Sequence, residues 1–146
     1  MNKAFSSCLS GSVDQLLAGG FVHIGVWQAG QSGLIAFLGI KPVPRRPGVY
    51  AYAVGHEVLY VGSAQRGLHR RFRHYENSKN LRTASRIREA LLERLSHGTV
   101  VDVYVIVPED HLTLNDILPV DPVAGLEEGL IRALKPKWNL RGSGAG

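Results

Sequence analysis

The apolar and polar positions fall into two regimes that meet near residue 47. Before that point, Val13 to Ala18 reads as a short helix capped by Ser12 and ended by Gly19-Gly20. Two short β-type runs follow, Phe21 to Trp27 and Leu34 to Leu38, on either side of the turn-rich Gln28 to Gly33. Lys41 to Pro47, with three prolines and two arginines, is an extended connector. After it, Val49 to Val54 and Glu57 to Gly62 flank Gly55-His56 and predict a hairpin. Leu68 to Asn77 reads as helical. Thr83 to Ser96 does so more clearly, with Ala84, Ile87, Leu91 and Leu95 making a stripe that His97-Gly98 ends. Thr99 to Val107, rich in β-branched residues, predicts a strand. Past a loop holding Pro108 and Pro119, Asp121 as N-cap and Pro122 in the first turn open a last helix to about Leu134.

The order β, β, α, α, β, α predicts a small α+β domain on a mainly antiparallel three-stranded central sheet flanked by helices. Residues 1–47 are too few to support a core alone and are expected as a helix and strand extension packed on the domain at 48–141. The Gly-rich residues 142–146 are expected as a flexible tail.

Composition narrows the class. With 45% apolar and 20% charged residues, the chain has enough apolar content to fold, and 17 Gly and 7 Pro exclude a coiled coil. The apolar run at Phe21 to Trp27, broken by His23 and Gly25, falls far short of the roughly 20 residues a membrane span needs. Met1 to Ser12 lacks the apolar core of a secretory leader. The one cysteine, Cys8, excludes an intrachain disulfide, so a reducing, cytoplasmic setting is expected, with no membrane partner.

The net charge of +5 is concentrated. Residues 63–94 hold nine basic side chains against three acidic ones, a net of +6, which leaves −1 for the rest of the chain. Twelve of the 17 basic residues are arginine, whose planar fork matches phosphate. Charge alone fits a solvated helix face as well as a polyanion partner.

Four local features carry candidate chemistry. In the last helix Val123, Leu126, Leu130, Ile131 and Leu134 form the apolar stripe, and Glu127 falls inside it, where a carboxylate needs a cation, a hydrogen-bond network or an edge position reaching water. Glu128 faces the other way and can pair with Arg132. Tyr50 and Tyr60 lie on the two hairpin arms: a three-residue loop, Val54 to His56, sets them on one face, and a two-residue loop at Gly55-His56 sets them on opposite faces. Taken singly, each tyrosine fits ordinary strand packing. Arg70 and His74 share one helix face, able to hold a phosphate and assist a proton transfer, although a solvated basic helix fits them too.

Together these pieces resemble the GIY-YIG nuclease domain. Its first motif appears as Gly48-Val49-Tyr50 and its second, ten residues on, as Tyr60-Val61-Gly62. An Arg-x-x-x-His element follows as Arg70 and His74, and the closing Glu and Asn, twelve apart, as Glu127 and Asn139 before and after Pro136. Val stands for Ile in both tripeptides, which preserves β-branching. The resemblance spans Gly48 to about Asn139, and residues 1–47 match nothing in it.

The resemblance implies a metal-dependent endonuclease that hydrolyses phosphodiester bonds with one divalent cation, Mg²⁺ or Mn²⁺. Glu127 would be its one protein ligand. It implies that Arg70 holds the scissile phosphate, that Tyr50 is the candidate base for the attacking water, provided Arg70, the metal or a neighbouring base lowers its pKa, and that Tyr60 and His74 position water and phosphate or relay the proton. Asn139 would orient its surroundings. Gly62 would let nucleic acid approach closely, and Arg66, Arg71, Arg73, Arg82 and Arg86 would track its backbone. DNA is the expected partner, with RNA and the oligomeric state left open. The alternative is a nucleic-acid-binding or partner-dependent subunit with little cleavage alone.

Overall fold

A computed structural model describes residues 11–31, 34–77 and 82–139. Cys8, the 142–146 tail and the side chain of Arg82 lie outside what is described. The elements in chain order are α1 (Ser12–Ala18), β1 (Val22–Ala29), β2 (Ile35–Gly39), β3 (Gly48–Val54), β4 (Glu57–Ala64), α2 (Leu68–Asn77), α3 (Arg82–Leu95), β5 (Val101–Ile106), β6 (Thr113–Leu114), β7 (Leu118–Pro119) and α4 (Pro122–Leu134).

Five strands form one antiparallel sheet in the order β2-β1-β5-β3-β4. The expected three-stranded core of β3, β4 and β5 is present. The difference is at its β5 edge, where β1 pairs Val22 to Trp27 with Val105 to Val101. The N-terminal strands therefore continue the sheet. Their backbone hydrogen bonds supply a stability that no isolated 45-residue core could reach.

Side chains alternate across this sheet and build two cores. Toward α2 and α3 point Tyr50, Tyr52, Tyr60, Val101, Val103 and Val105, packed with Trp27, Leu68, Phe72, Tyr75, Ile87 and Leu91. Toward α1 and α4 point Val49, Ala51, Ala53, Val58, Val61 and Tyr104, packed with Val13, Leu16, Phe21 and Val123. Covered on both faces, β3 reads as the nearly unbroken apolar run GVYAYAV.

The connector at 41–47 shapes the start of α2. The carbonyls of Arg46 and Pro44 accept from the N–H groups of Leu68 (3.1 Å) and His69 (2.9 Å), which have no partner within the helix. Gly67 sits at φ +111° with the Arg45 carbonyl 2.5 Å from where a Cβ would lie, so only glycine fits that junction. At the other end of α2, the buried Arg88 of α3 donates to the carbonyls of Tyr75 and His74. No helix among the described residues is long and apolar enough to cross a membrane.

Candidate active site

The β3–β4 hairpin resolves the two tyrosine registers in a way neither simple loop does. Val54 pairs with Glu57, so the turn has two residues, with Gly55 at φ +62°. That loop alone would put Tyr50 and Tyr60 on opposite faces. A β-bulge then inserts Leu59: Ala53 pairs with Val58, Tyr52 with Tyr60 and Tyr50 with Gly62. The extra residue flips the parity once more. Tyr50 and Tyr60 end on the same face, ring centres 6.1 Å apart.

Both motif glycines serve this packing. A Cβ on Gly62 would lie 2.6 Å from Cζ of Tyr50 and 2.9 Å from Cε2 of Tyr60. A Cβ on Gly48 would lie 2.6 Å from the Ile106 carbonyl and 2.7 Å from Cδ1 of Leu68. In this structure the open space at Gly62 holds the Tyr50 ring, a use that the nucleic-acid role expected for it does not account for.

A third tyrosine, Tyr75, completes the cluster with Tyr52. Its hydroxyl lies 3.3 Å from that of Tyr50. Periodicity marks its position, because Leu68, Phe72 and Tyr75 share one face of α2, the face opposite Arg70 and Arg73. Burial pushes the Tyr50 phenol well above its ordinary value, with Tyr75 and Tyr60 adding to the rise and Arg71 opposing it. Tyr75 and Tyr52 are raised likewise by burial. Burial also raises Tyr60, and the Glu127 carboxylate adds to that rise. Burial thus works against the loss of the Tyr50 proton, and Arg71 works in its favour.

Beside the tyrosines opens a cleft of about 350 Å³, lined by Ser63, Ala64, Gln65, Arg66, Gly67, Arg70, Arg71 and His74. Its walls are the end of β4, the following turn and the first two turns of α2. Arg70 is exposed on it, and Arg71 and His74 are half-buried. Helix α4 meets this rim through side chains: Ser63 Oγ donates to Glu127 Oε1 at 2.7 Å, and Gln65 Nε2 donates to Asp121 Oδ2 at 3.0 Å. Asp121 meanwhile caps α4, its Oδ1 accepting from the N–H groups of Val123 and Ala124. Glu127 is thus at the edge of the apolar stripe, half-exposed, with a hydroxyl partner. Ser63 was not among the expected site residues. Strand alternation does mark it, one step beyond Gly62 and on the face toward α4.

The remaining candidates divide. Asn139 lies along β4, one of the two outer strands of the sheet. Its Oδ1 accepts from the Val61 N–H at 2.8 Å and its Nδ2 donates to the Val61 carbonyl at 2.9 Å, imitating a neighbouring strand. Arg86 donates from Nη1 to the Trp138 carbonyl at 2.9 Å and so holds the segment that carries Asn139. Arg66 and Arg71 line the cleft, and Arg73 is exposed away from its lining. Glu128 and Arg132 form the expected i, i+4 pair at 3.0 Å.

Among the described residues no group of three or more His, Cys, Asp or Glu gathers to hold a metal. A single half-exposed carboxylate beside an open polar cleft fits Mg²⁺, which keeps most of its waters, and does not fit zinc.

No protein-family model and no curated protein matches this sequence. Solved structures do. A glutamate-to-alanine variant of bacteriophage T4 EndoII superposes with a TM-score of 0.66 at 19% identity, covering 87% of this chain and 97% of that one. The chain has the GIY-YIG nuclease fold. EndoII matches more of the chain than residues 48–141 can supply, so part of the N-terminal section belongs to the shared fold. Restriction endonuclease HPY188I in complex with product DNA follows at a TM-score of 0.50 and 17% identity, covering 86% of this chain and 85% of that one. The GIY-YIG N-terminal endonuclease domain of UvrC from Thermotoga maritima, bound to magnesium, is 23% identical over 66% of this chain and 85% of that one, at a TM-score of 0.43.

Proposed function

We propose that this protein is a metal-dependent endonuclease that hydrolyses phosphodiester bonds in DNA. The observation that carries the reading is one cleft bordered by Arg70, Arg71, His74 and, through Ser63, Glu127. These are cations for a phosphate, an imidazole and a carboxylate, brought together from β4, α2 and α4. The fold shared with EndoII over nearly its whole length supports it, as does the net +6 of residues 63–94.

In this reading Glu127, whose Oε1 accepts from Ser63 Oγ, would hold Mg²⁺. The bound ion would supply Lewis-acid stabilisation of the charge that develops on the phosphate and leaving oxygen. Arg70, exposed on the cleft wall, holds the scissile phosphate, and Arg71, which lines the same cleft, acts electrostatically on Tyr50, Tyr60 and Tyr75. His74, which lines the same cleft, accepts the proton of the attacking water. Tyr60 stays protonated and orients water or phosphate as a donor. Tyr50 and Tyr75, buried behind it, fix its position. Asn139 and Arg86 hold the strand that presents Ser63.

The test is plasmid cleavage with Mg²⁺. Wild-type protein should nick or linearise the DNA, EDTA should abolish this, and Glu127→Ala should lower the rate by at least about 1,000-fold while leaving the circular dichroism spectrum unchanged. Cleavage that persists in both EDTA and Glu127→Ala would overturn the reading.

A further inference from the structure

The connector at 41–47 is remote in sequence from the basic segment at 63–94, and the proposed reaction does not use it. From Gln15 to His56 its Lys41, Arg45 and Arg46 are the only Lys, Arg, Asp or Glu residues, so this whole stretch is a source of positive charge alone. All three are exposed.

The fold brings the two arginines to the cleft. The Arg45 carbonyl lies 2.5 Å and its Cα 3.8 Å from where a Cβ on Gly67 would be, and Gly67 lines the cleft beside Arg66 and Arg70. Arg46 pairs with Asp110 at 3.1 Å. Asp110 borders a depression with Pro47 and Gln65, and Gln65 lines the cleft as well. The connector is also stiff. Pro42, Pro44 and Pro47 each fix one backbone angle, and the carbonyls of Pro44 and Arg46 are tied to the N–H groups of His69 and Leu68. Those bonds occupy amides at the start of α2 that would otherwise face an anion. Cationic side chains on a fixed backbone are therefore what this rim offers a phosphate.

We propose that Arg45 and Arg46 clamp the DNA backbone at phosphates flanking the one held in the cleft, and that Asp110 competes with the DNA for Arg46. The proposal takes its ligand from the nuclease reading. The Arg46–Asp110 pair is 58% and 60% exposed on its two sides, so water weakens it, whereas a phosphate offers the guanidinium two parallel hydrogen bonds. The other carboxylate of that depression, Asp121, is engaged elsewhere: Oδ1 accepts from Val123 and Ala124, and Oδ2 from Gln65. Asp110 is thus the acid that a phosphate at Arg46 displaces. Arg45 makes no side-chain hydrogen bond or ion pair among the described residues and meets a phosphate without first giving up a partner.

Fluorescence anisotropy of a dye-labelled duplex of about 20 base pairs tests this, with the full chain in EDTA so that no cutting intervenes, from about 50 to 200 mM NaCl. Arg45→Ala and Arg46→Ala should each flatten the log–log salt dependence by about 0.9 and weaken binding about 3- to 10-fold near 0.1 M salt. Arg45→Lys and Arg46→Lys should keep the wild-type slope, because it counts charges at phosphates and not packing. Arg132→Ala, outside the cleft lining, should change the slope by less than about 0.3. Asp110→Asn should tighten binding about 2- to 5-fold, and most of that gain should vanish when Arg46 is already alanine. The proposal is overturned if wild type binds no duplex at the lowest salt, if both arginine variants behave as Arg132→Ala does, or if Asp110→Asn weakens binding as Arg46→Ala does, which would make the pair a structural brace. If these binding effects appear while wild type fails to cut plasmid in Mg²⁺, the nuclease reading falls and the clamp stands.

Discussion

Ser63 Oγ donates to Glu127 Oε1 at 2.7 Å and joins the outer strand of the sheet to the last helix at the rim of the cleft. The bond orients the carboxylate to which the proposed mechanism assigns the cation. Ser63→Ala should therefore raise the Mg²⁺ concentration for half-maximal cleavage about tenfold and slow the reaction 10- to 100-fold, with Ser63→Thr retaining most activity. A Mg²⁺ titration of plasmid nicking, paired with a calorimetric Mg²⁺ titration of the uncut protein, measures both effects.

Gly62 is held by sterics. Alanine there would put its Cβ 2.6 Å from one tyrosine ring and 2.9 Å from another, in a core with no room to give. Gly62→Ala should cost about 1–3 kcal/mol by overpacking. Urea denaturation should show a lower midpoint with an unchanged slope. Gly55→Ala touches nothing within 4 Å, and its cost should come from the positive φ alone.

The buried tyrosines predict an alkaline limit to stability. Their folded pKa values are raised, above all by burial, whereas in the unfolded chain each ionises near 10. Between these values the unfolded state binds fewer protons, so stability is fully present below about pH 10 and falls as pH rises through the folded values. Absorbance at 295 nm should show Tyr50, Tyr52 and Tyr75 ionising together with unfolding and not before it. Tyr50→Phe should leave the pH–rate profile below pH 9 unmoved, while losing the 3.3 Å contact to Tyr75 at a cost of about 1 kcal/mol.

Asn139 makes two hydrogen bonds to one residue of the outer strand, one accepted and one donated. Asn139→Asp keeps an acceptor for the Val61 N–H and loses the donor to its carbonyl, where a carboxylate would face an oxygen. A loss of about 1–3 kcal/mol is expected, measurable as a lower melting temperature and as faster hydrogen exchange at Val61.

Two arginines of α2 separate cleft chemistry from general charge. Arg70 lines the cleft and Arg73 does not, though both are exposed. Arg70→Ala should lower cleavage about 100- to 1,000-fold, and Arg73→Ala only a few-fold while reducing the salt dependence of DNA binding. Equal effects of the two substitutions on single-turnover rates would count against a phosphate held at Arg70.

Much of this protein is determined locally and is legible in its sequence. The hairpin turn, the 3.6-residue stripes of α3 and α4, the Asp121-Pro122 cap and the i, i+4 pair of Glu128 and Arg132 all depend on neighbours in the chain. The resemblance to the GIY-YIG domain, carried by Gly48, Tyr50, Tyr60, Arg70, His74, Glu127 and Asn139, is also read from the chain alone. Tertiary structure decided the rest. A single inserted residue, Leu59, sets the face on which Tyr60 lies, because strand parity reverses with every residue and local turn chemistry does not count bulges. Partners far apart in sequence, Ser63 with Glu127 and Val61 with Asn139, exist only once α4 lies along β4. The β1–β5 pairing depends on a sheet edge that has no local code. The rise in the Tyr50 pKa is likewise collective, because burial among four aromatic neighbours disfavours the charged phenolate.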